Sequence, residues 1–566
     1  MKSLWTELRP LLGYIAAFSF FINLLFLVPA FFTLQVFDRV ISTNSHETLL
    51  VLLAGTGVAL LILLVLDYLR TRLQNVVGVL VDERLSPPVV NAIVERAARM
   101  PTGTRTEGIR DVAALRSVFS ANGLIAIFDA PWVVVYVLVI WMFHPALGLG
   151  AALSALLMLA LAWLNDRVSR QSLETLQNEG RRAAQYVESS LRNAEVLQAL
   201  GMTQRLLVRW RALQSQIAVM QTSASRSSVA FTAGTKAVRQ AIQILMLALG
   251  AYLVLSQQAS AGVMIATSIL LGRAVQPVEQ VVGSWRTLIE ACAAYKRLLE
   301  LSKDFEQVEP RLIMPRPEGR LCSENMSYRV AGSDALVLSN ITFSLAPGEA
   351  LAIVGPSAAG KSTLARLLTG VWAPCAGHVR LDGADVSYWS REHLGPFIGY
   401  VPQDIELFDG TVADNIARLD TVDSEKVVEA ATRANAHEMI LGLPKGYDTP
   451  VGEHGCKLSP GQRQRIALAR ALYGNPQVVI LDEPNSNLDG AGEVALAQSM
   501  SSLREAGVTS VVVTHRPSLI AHVDKILVLA AGRVKQFGPA GEVMRDMQRQ
   551  AQAAVDQHEQ HEQKAA

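Results

Sequence analysis

The sequence is poor in cysteine and carries almost no net charge. Its four cysteines, Cys292, Cys322, Cys375 and Cys456, form no C-x-x-C pair and lack metal-ligand spacing. This pattern argues against a disulfide framework or a zinc site and favours free thiols in a reducing compartment. Lys and Arg number 51 against 50 Asp and Glu, for a net charge of +1, which gives no electrostatic reason to expect a nucleic acid or an acidic partner.

What the chain has in excess is apolar sequence. Hydrophobic residues make up 50% of its 566 residues, which is high for an ordinary soluble enzyme, and the chain is too long for one domain. The apolar runs gather before about residue 280, and beyond residue 305 the sequence is typical of an α/β protein. We predict a membrane domain over 1–305, an α/β domain over 306–545 and a polar, disordered tail over 546–566.

Six segments approach the roughly 20 apolar residues needed to cross about 30 Å of hydrocarbon. They cover residues 14–36, 49–66, 124–143, 145–164, 241–255 and 261–275, and they group as three helical hairpins. Lys2 and Arg9 precede the first segment as in a signal peptide. That segment is too long for one and has no convincing cleavage site, so we interpret it as a retained anchor.

Loop charges predict the orientation. The connection after the second segment carries eight arginines and the one after the fourth carries eleven Lys or Arg residues, whereas only Arg39 is basic in the short opposite connections. By the positive-inside rule both long connections and both termini are cytoplasmic. The helical periodicity of the two long connections indicates that they continue the spanning helices and are not disordered linkers. Asp129 and Arg273 are candidate inter-helix or cavity residues, with a snorkelling interfacial position as the open alternative.

A phosphate-binding loop lies in the second domain. The motif G-x-x-x-x-G-K-[ST] fits the nine residues Gly355, Pro356, Ser357, Ala358, Ala359, Gly360, Lys361, Ser362 and Thr363. An apolar strand pattern precedes it and a helical pattern follows it, as this loop requires. Its backbone N–H groups would bind phosphate oxygens, Lys361 would reach the β- and γ-phosphates and Ser362 would offer a hydroxyl to Mg²⁺.

Two further strand patterns end in polar residues. Residues 478–482 end in Asp482, suited to hold Mg²⁺ through water, and Glu483 follows as a candidate to polarise an attacking water. Residues 511–513 lead to His515, which we expect at the same edge of a parallel sheet. The alternative, strand-end polar groups with a purely structural role, is disfavoured because all three motifs occur in this order.

The segment 458–465, Leu-Ser-Pro-Gly-Gln-Arg-Gln-Arg, resembles the signature sequence of ABC ATPases. Gln403 resembles the Q-loop glutamine, Asp489 belongs to a D-loop-like segment and His515 resembles the switch histidine. Tyr328 stands where the family places an aromatic ring under adenine, although a lone tyrosine is more often a packing residue. Residues 451–455, which include Glu453 and His454, resemble an exporter loop that contacts coupling helices.

This resemblance covers about residues 320 to 540 and implies an ABC exporter: a six-span helical membrane domain and an α/β P-loop ATPase domain with a helical subdomain. It implies that Lys361, Gln403, Glu483 and His515 serve catalysis and that Gln403 is also a Mg²⁺ ligand. Nucleotide contacts are implied for the phosphate loop and for Tyr328, Gln403, Ser459, Gly461, Gln462 and Asp489. In this family the signature binds the γ-phosphate held by the opposite subunit. A homodimer with two composite ATP sites is therefore expected.

Three residues depart from the family pattern. Ala358 and Ala359 stand where many relatives have glycine or serine, and an alanine held at positive φ costs on the order of 1 kcal/mol. Pro460 replaces a common glycine and has no N–H for a phosphate. We expect slower turnover or altered nucleotide affinity, but no loss of Lys361 or Glu483.

One branch of the family matches most fully. Residues 34–40, 128–132, 271–279, 407–412 and 482–489 are similar to the inner-membrane ATPases of type I secretion systems, of the PrtD type that exports proteases, lipases and haem-binding proteins. With only about a dozen residues before the first span, the peptidase or peptidase-like domain of relatives that process leader peptides or export large toxins is not expected. The resemblance implies a cargo of unfolded polypeptide with an uncleaved C-terminal signal, a membrane-fusion protein, an outer-membrane channel and a bacterial inner-membrane location. A homodimeric lipid or drug exporter and a membrane-anchored regulatory ATPase remain the alternatives.

Overall fold

The chain divides into two compact units, with the main boundary between Phe305 and Glu306. The computed structural model describes residues 2–99, 107–120, 125, 128–191, 193–306, 313–330, 335–452, 455 and 457–549. Glu453, His454 and most of the predicted tail lie outside these ranges.

The first unit contains helices and connecting turns, and no strand among its described residues. Its α-helices are α1 (Lys2–Leu25), α2 (Val28–Gln35), α3 (Ile41–Thr43), α4 (His46–Arg99), α5 (Glu107–Ser120), α6 (Trp132–Phe143), α7 (Pro145–Leu191), α8 (Ala194–Ala199), α9 (Thr203–Leu255), α10 (Ala261–Gly283) and α11 (Trp285–Glu306). A π-helix, Val36–Val40, joins α2 to α3.

Five helical stretches among the described residues are long and apolar enough to cross a membrane. They are Trp5–Thr43, His46–Arg99, Pro145–Val168, Val229–Leu255 and Ala261–Val281. The segment predicted at 124–143 contains the apolar helix α6, which is shorter, and residues 124, 126 and 127 lie outside the described ones. Six spans therefore stay a prediction.

Several helices run far beyond their apolar stretch, as the sequence predicted. α4 has 54 residues, α7 has 47 and α9 has 53. At about 1.5 Å per residue each exceeds twice the thickness of the hydrocarbon layer. α7 ends at Leu191 and α8 begins at Ala194, so the uninterrupted helix expected over 166–199 is divided near its end.

The turn between α6 and α7 follows from its sequence. His144 precedes Pro145, and the proline ring disfavours a helical conformation at the residue before it. His144 is extended, with φ −159° and ψ 130°. Pro145 then begins α7, where its missing N–H is not needed by the helix.

Asp38 of the π-helix holds the start of α10. Its Oδ2 accepts a hydrogen bond from Ser260 Oγ over 2.6 Å and its Oδ1 accepts one from the Gly262 N–H over 3.1 Å. A carboxylate at a helix N-terminus satisfies N–H groups that have no partner within the helix. Gly262 is required there, because a Cβ on it would lie 2.5 Å from Asp38 Oδ1.

A buried polar group joins α1, α4 and the chain around α6. Asn23 Nδ2 donates to Asp129 Oδ1 over 2.6 Å, and the Tyr136 hydroxyl donates to Asn23 Oδ1 over 3.0 Å. Arg70 lies with Nη1 at 3.6 Å from Asp129 Oδ1 and with Nη2 at 2.6 Å from Asp67 Oδ1. Asp129 therefore lies between helices, and not in the snorkelling interfacial position that the sequence left open.

Arg273 on α10 also contacts other side chains. Its guanidinium lies 3.9 Å from the centroid of the Phe26 ring, a cation–π distance. Its Nη1 donates to Gln276 Oε1 over 3.1 Å. This charge at membrane depth is thus partnered within the helical unit.

The second unit contains two sheets. Its strands are β1 (Leu321–Arg329), β2 (Leu336–Leu345), β3 (Ala350–Val354), β4 (Ala376–Leu381), β5 (Ala384–Asp385), β6 (Ile398–Val401), β7 (Val478–Asp482), β8 (Thr509–Val513), β9 (Lys525–Ala530) and β10 (Arg533–Pro539). One sheet has the order β2-β1-β4-β5 and is antiparallel; the other has the order β10-β9-β3-β8-β7-β6 and is parallel from β9 to β6.

Helices cover the parallel sheet. They are α12 (Lys361–Leu368), α13 (Arg391–Leu394), α14 (Val412–Ile416), α15 (Ser424–Arg433), α16 (His437–Leu441), α17 (Pro460–Leu472), α18 (Gly490–Glu505) and α19 (Pro517–Ile520). Alternate residues of β3 enter two different cores: Ala352 packs on one side with the helices α14 to α18, and Ile353 on the other with β1, β2 and α12. A strand buried on both faces must be apolar throughout.

Candidate nucleotide site

Strand order places the sequence motifs at one edge of the parallel sheet. The neighbours β3, β8, β7 and β6 run in the same direction, so their carboxyl ends meet at a single edge. The phosphate loop follows β3, Thr514 and His515 follow β8, Glu483 follows β7 and Gln403 follows β6.

The phosphate loop is shaped by close backbone approach. Gly355 has no room for a side chain, because a Cβ would lie 2.1 Å from the Leu529 carbonyl oxygen. Gly360 has φ +97° and a Cβ there would lie 2.7 Å from Leu338 Cδ2. Both glycines are therefore needed for the path of the chain. Pro356 and Ser357 are exposed at the tip of the loop.

The two alanines of the loop differ in backbone conformation. Ala358 has φ +63°, in the left-handed region, and it is exposed. Ala359 has no positive φ, is 4% exposed and belongs to the core beneath the loop. The strain expected at both positions thus falls on Ala358 alone.

Lys361 folds back over the loop that it follows. Its Nζ donates to the carbonyl oxygens of Gly355 over 2.9 Å and of Pro356 over 3.0 Å. The ammonium is therefore held at the mouth of the loop, where a phosphate oxygen could replace a carbonyl as its acceptor. Ser362 and Thr363 follow in the first turn of α12.

Three oxygen-bearing side chains converge beside the loop. Ser362 Oγ donates to Asp482 Oδ1 over 3.2 Å and lies 3.5 Å from Gln403 Oε1. Asp482 is buried, and its Oδ2 has no hydrogen-bond partner among the described residues. Burial raises the pKa of Asp482, the nearby Glu483 charge adds to this, and the Ser362 hydroxyl opposes it.

This convergence fits a hard divalent cation. Hydroxyl, amide and carboxylate oxygens are the ligands that Mg²⁺ takes in proteins, usually together with water and phosphate oxygens. The buried, unpartnered Oδ2 of Asp482 is an acceptor that such a cation or its water shell would satisfy. The three predicted Mg²⁺ residues, Ser362, Gln403 and Asp482, therefore lie together.

Glu483 is held in an unusual conformation next to this group. Its φ is +50°, in the left-handed region that disfavours residues with a Cβ. Its N–H donates to the Val513 carbonyl oxygen over 3.0 Å, and Gln403 Nε2 donates to its Oε2 over 3.1 Å. Backbone strain at a strand end is often retained where a side chain must point into a site. His515 is exposed beyond the neighbouring strand.

The signature segment forms the start of α17. Ser459 is its N-cap: Ser459 Oγ accepts from the Gln462 N–H over 3.2 Å, and Gln462 Oε1 accepts from the Ser459 N–H over 2.9 Å. This is a capping box. Pro460 occupies the first helical position, where no N–H is needed by the helix. A Cβ on Gly461 would lie 3.1 Å from the Asn487 carbonyl oxygen.

Gln464 and Asp489 connect the signature helix to the segment after Glu483. Gln464 is buried; its Nε2 donates to the Pro484 carbonyl oxygen and its Oε1 accepts from the Asn487 N–H over 3.1 Å. Asp489 is the N-cap of α18, accepts from the Gly492 N–H over 2.8 Å and lies 3.4 Å from Arg465 Nη2. Among the described residues, no hydrogen bond joins Ser459, Gly461 or Gln462 to the phosphate loop.

Tyr328 lies on β1 and stacks against Trp372, with ring centroids 5.1 Å apart and an interplanar angle of 17°. Burial raises the pKa of the Tyr328 phenol. The sequence pointed to the tyrosine, but it gave no sign of Trp372, and it assigned no separate role to Gln464. For Gln464 the signal was its place within the signature segment, one helical turn after Gly461.

Comparisons with known proteins agree with this architecture. Two family models match, the ABC transporter transmembrane region over residues 12–278 and the ABC transporter model over residues 338–486. The chain is 39% identical over 549 residues to the type I secretion system ATP-binding protein PrsD of Rhizobium meliloti (strain 1021), covering 95% of this chain and 93% of that protein.

A second relative is the toxin RTX-I translocation ATP-binding protein of Actinobacillus pleuropneumoniae, 28% identical over 537 residues, with 93% of this chain and 75% of that protein covered. Among solved structures, a bacterial Atm1-family ABC exporter with ATP bound matches 97% of this chain and 98% of its own, with a TM-score of 0.82 and 24% identity. That likeness shows the fold.

Proposed function

The chain belongs to the ABC exporters, with a transmembrane region and an ATPase domain on one polypeptide, and from this membership we propose that two copies of it export an unfolded polypeptide across a bacterial inner membrane. ATP-driven protein export is the activity of such type I secretion relatives. The proposal adds a homodimer, a cargo with a C-terminal signal, and delivery through a membrane-fusion protein to an outer-membrane channel.

The observation that carries the proposal is the extent of the likeness to a type I secretion ATPase. It covers 95% of this chain and 93% of the relative, so the membrane half is included as well as the ATPase. An ATPase domain alone is shared by transporters of many substrates, whereas the membrane half contacts the cargo. The likeness of both halves therefore favours a polypeptide over a lipid or a drug.

The phosphate loop and Lys361 bind the triphosphate of ATP. The backbone of 355–363 surrounds the phosphate chain, and Lys361 exchanges its contacts with the carbonyls of Gly355 and Pro356 for β- and γ-phosphate oxygens. Ser362, Gln403 and Asp482 would hold Mg²⁺, which supplies charge neutralisation on the β- and γ-phosphate oxygens.

Hydrolysis takes place beside Glu483. Water attacks the γ-phosphorus, the bond to the β-phosphate oxygen breaks and ADP and phosphate are formed. Glu483 orients this water and accepts its proton, and Gln403 fixes the carboxylate through its hydrogen bond to Oε2. His515, at the neighbouring strand end, stabilises the charge that develops on the transferred group.

The signature segment acts in the other copy of the chain. The start of α17 presents Ser459 and the N–H groups of Gly461 and Gln462, and a helix N-terminus favours an anionic phosphate. No hydrogen bond among the described residues connects this segment to the phosphate loop of its own chain. A two-fold dimer supplies each loop with the signature of the second copy and produces two equivalent sites.

ATP binding then closes the dimer, and hydrolysis opens it again. ATP shifts the population toward the closed state because it contacts both copies only there. The cytoplasmic continuations of α4, α7 and α9 transmit the change to the spans. This orientation, with the ATPase domain and both termini in the cytoplasm, follows from the basic residues of the two long connections.

The test uses the full-length protein in lipid vesicles. Glu483→Gln should bind ATP, lose hydrolysis and accumulate in the closed dimer, whereas Lys361→Ala should weaken nucleotide binding itself. Lys426→Ala, which changes an exposed lysine paired with Asp423, is the matched control and should behave as wild type. Hydrolysis at the wild-type rate in both site variants would contradict the assignment.

Cargo is tested separately, by deletion of the gene and complementation. Loss of one or more secreted polypeptides, restored by wild type and not by Glu483→Gln, supports export of protein. ATPase stimulation by lipid with an unchanged set of secreted proteins would instead identify a lipid exporter. No transport of any substrate by an active ATPase would favour a regulatory role.

A further inference from the structure

Behind the Tyr328 ring lies a second aromatic ring and then a cation. Trp372 stacks on Tyr328 with centroids 5.1 Å apart, and the guanidinium of Arg366 lies 4.9 Å from the centroid of the Trp372 ring. Trp372 is 8% exposed, whereas Tyr328 is only half-buried. The stack therefore has an interior member, Trp372, and an accessible member, Tyr328.

The phosphate-loop helix determines where Trp372 lies. Arg366 is on α12, the helix that begins with Lys361, and the backbone N–H of Trp372 donates to the Arg366 carbonyl oxygen over 3.4 Å. Gly370 makes the intervening turn with φ +68°, and Arg391 Nη1 donates to the Thr369 carbonyl oxygen over 2.9 Å. Trp372 is thus attached to the element that binds phosphate.

The strand that carries Tyr328 meets the phosphate loop from the other side. Tyr328 pairs with Leu338 across β1 and β2, and Leu338 is the residue that a Cβ on Gly360 would approach to 2.7 Å. The ring of Tyr328 and the loop that binds phosphate are therefore connected twice, through Leu338 and through Trp372 with Arg366.

We propose that Trp372 is a specificity-determining positioning residue, which holds the Tyr328 ring at a fixed distance from the phosphate loop and leaves one face of that ring for a purine base. This inference rests on the proposed function, in which Tyr328 contacts adenine. A tyrosine stacked on one face cannot rotate freely, so less conformational entropy is lost when a base stacks on the other face.

The expected effect is base-selective. Base–aromatic stacking contributes roughly five- to hundred-fold to affinity per base by alanine substitution. Trp372 acts only through Tyr328, so Trp372→Ala should raise the dissociation constant for ATP about five-fold, at the lower end of that range. Inorganic tripolyphosphate has no base, and its affinity should not change. A pyrimidine has a smaller ring than adenine, so CTP should be affected less than ATP.

The experiment measures equilibrium binding of ATP, CTP and tripolyphosphate to the full-length protein in detergent, with EDTA to prevent hydrolysis. Trp372→Phe keeps a ring that can stack and should restore ATP affinity. Trp389→Ala is the matched control, because Trp389 is 2% exposed in the same core as Trp372; it should lower stability without changing the preference for ATP over CTP. Tyr328→Ala should reproduce the base-selective loss.

The outcomes separate the two proposals. A loss of affinity for ATP but not for tripolyphosphate, reversed by phenylalanine, supports the role of Trp372. Equal losses of affinity for all three ligands would overturn it, because Trp372 would then only keep α12 in place. Unchanged ATP affinity in Trp372→Ala would overturn it as well. Absence of ATP binding by the wild type would overturn the proposed function as a whole.

Discussion

The side-chain amide of Gln403 donates a hydrogen bond to Glu483 Oε2 over 3.1 Å. Gln403 follows β6 and Glu483 follows β7, the adjacent parallel strand, so the pair spans two neighbouring strand ends. Because Glu483 already has a left-handed backbone with φ +50°, this contact helps to fix the direction of its carboxylate.

Gln403→Ala should lower kcat for ATP hydrolysis about ten-fold, the effect of one lost positioning hydrogen bond, and it should also raise KM for ATP with Mg²⁺, because Gln403 Oε1 lies in the proposed Mg²⁺ site. Gln403→Glu removes the amide donor and places a second negative charge beside Glu483, so it should lower kcat at least as much as Gln403→Ala. Wild-type kcat in Gln403→Ala would show that Glu483 is held without this contact.

Ala358→Gly and Ala359→Gly should have opposite effects on stability. Ala358 has φ +63°, and relief of about 1–2 kcal/mol of strain should exceed the roughly 0.5–1 kcal/mol entropy loss of glycine. Ala359 is buried in the core without a positive φ, so its loss should destabilise by about 1–2 kcal/mol. The temperature of half-inactivation of ATP binding should rise for the first and fall for the second. A fall for both would contradict the strain at Ala358.

The pair of alanines also shows what the sequence could predict. The loop itself was predictable because its motif, the strand before it and the helix after it are all local in sequence. The position of Glu483 and His515 at one edge of the sheet was predictable too, because each residue follows its own apolar strand. The motif could not indicate which alanine takes the left-handed conformation, because φ depends on the packing of Ala359 into the core.

Contacts between distant residues were not predictable either. Trp372 and Arg366 have no motif, and only the fold brings them to Tyr328. Asp38 and Gly262 are 224 residues apart. In the membrane unit the six apolar runs predicted helices well, but a hydropathy pattern contains no signal for a π-helix at Val36–Val40, which depends on local backbone geometry.

Asp482 should make stability depend on pH. Burial raises its pKa above the ordinary value of about 3.9. Between that value and the raised pKa the folded state binds more protons than the unfolded state, so the free energy of unfolding decreases as pH rises through this window. At neutral pH without a cation, the ionised form is therefore destabilising.

Asp482→Asn should accordingly raise the unfolding temperature of the nucleotide-free protein at neutral pH and remove this pH dependence. In the wild type, Mg²⁺ with ATP should stabilise less as pH falls through the raised pKa, because the carboxylate that the cation needs becomes protonated. Thermal unfolding across a pH series, with and without Mg²⁺ and ATP, measures both. An asparagine variant that unfolds at a lower temperature than wild type at neutral pH would refute the sign of the effect.

The contact between Asp38 and Gly262 gives a test within the membrane unit. Gly262 and Gly272 both lie on α10, but a Cβ on Gly262 would be 2.5 Å from Asp38 Oδ1 and 2.8 Å from the Leu34 carbonyl oxygen, whereas nothing lies within 4 Å of one on Gly272. Gly272→Ala should stabilise by about 0.5–1 kcal/mol through helix propensity. Gly262→Ala should destabilise by about 1–3 kcal/mol, because the carboxylate and the π-helix must move.

In lipid vesicles, the half-inactivation temperature should be higher than that of the wild type for Gly272→Ala and lower for Gly262→Ala. Asp38→Ala removes the nearest clashing atom but leaves the Leu34 carbonyl, so the double variant Asp38→Ala with Gly262→Ala should be less destabilised than the sum of the single variants. The difference between that sum and the destabilisation of the double variant measures how much of the clash is with the Asp38 carboxylate. Strict additivity would mean that Gly262 is needed for the approach of the Leu34 backbone, and that Asp38 acts only as a cap for α10.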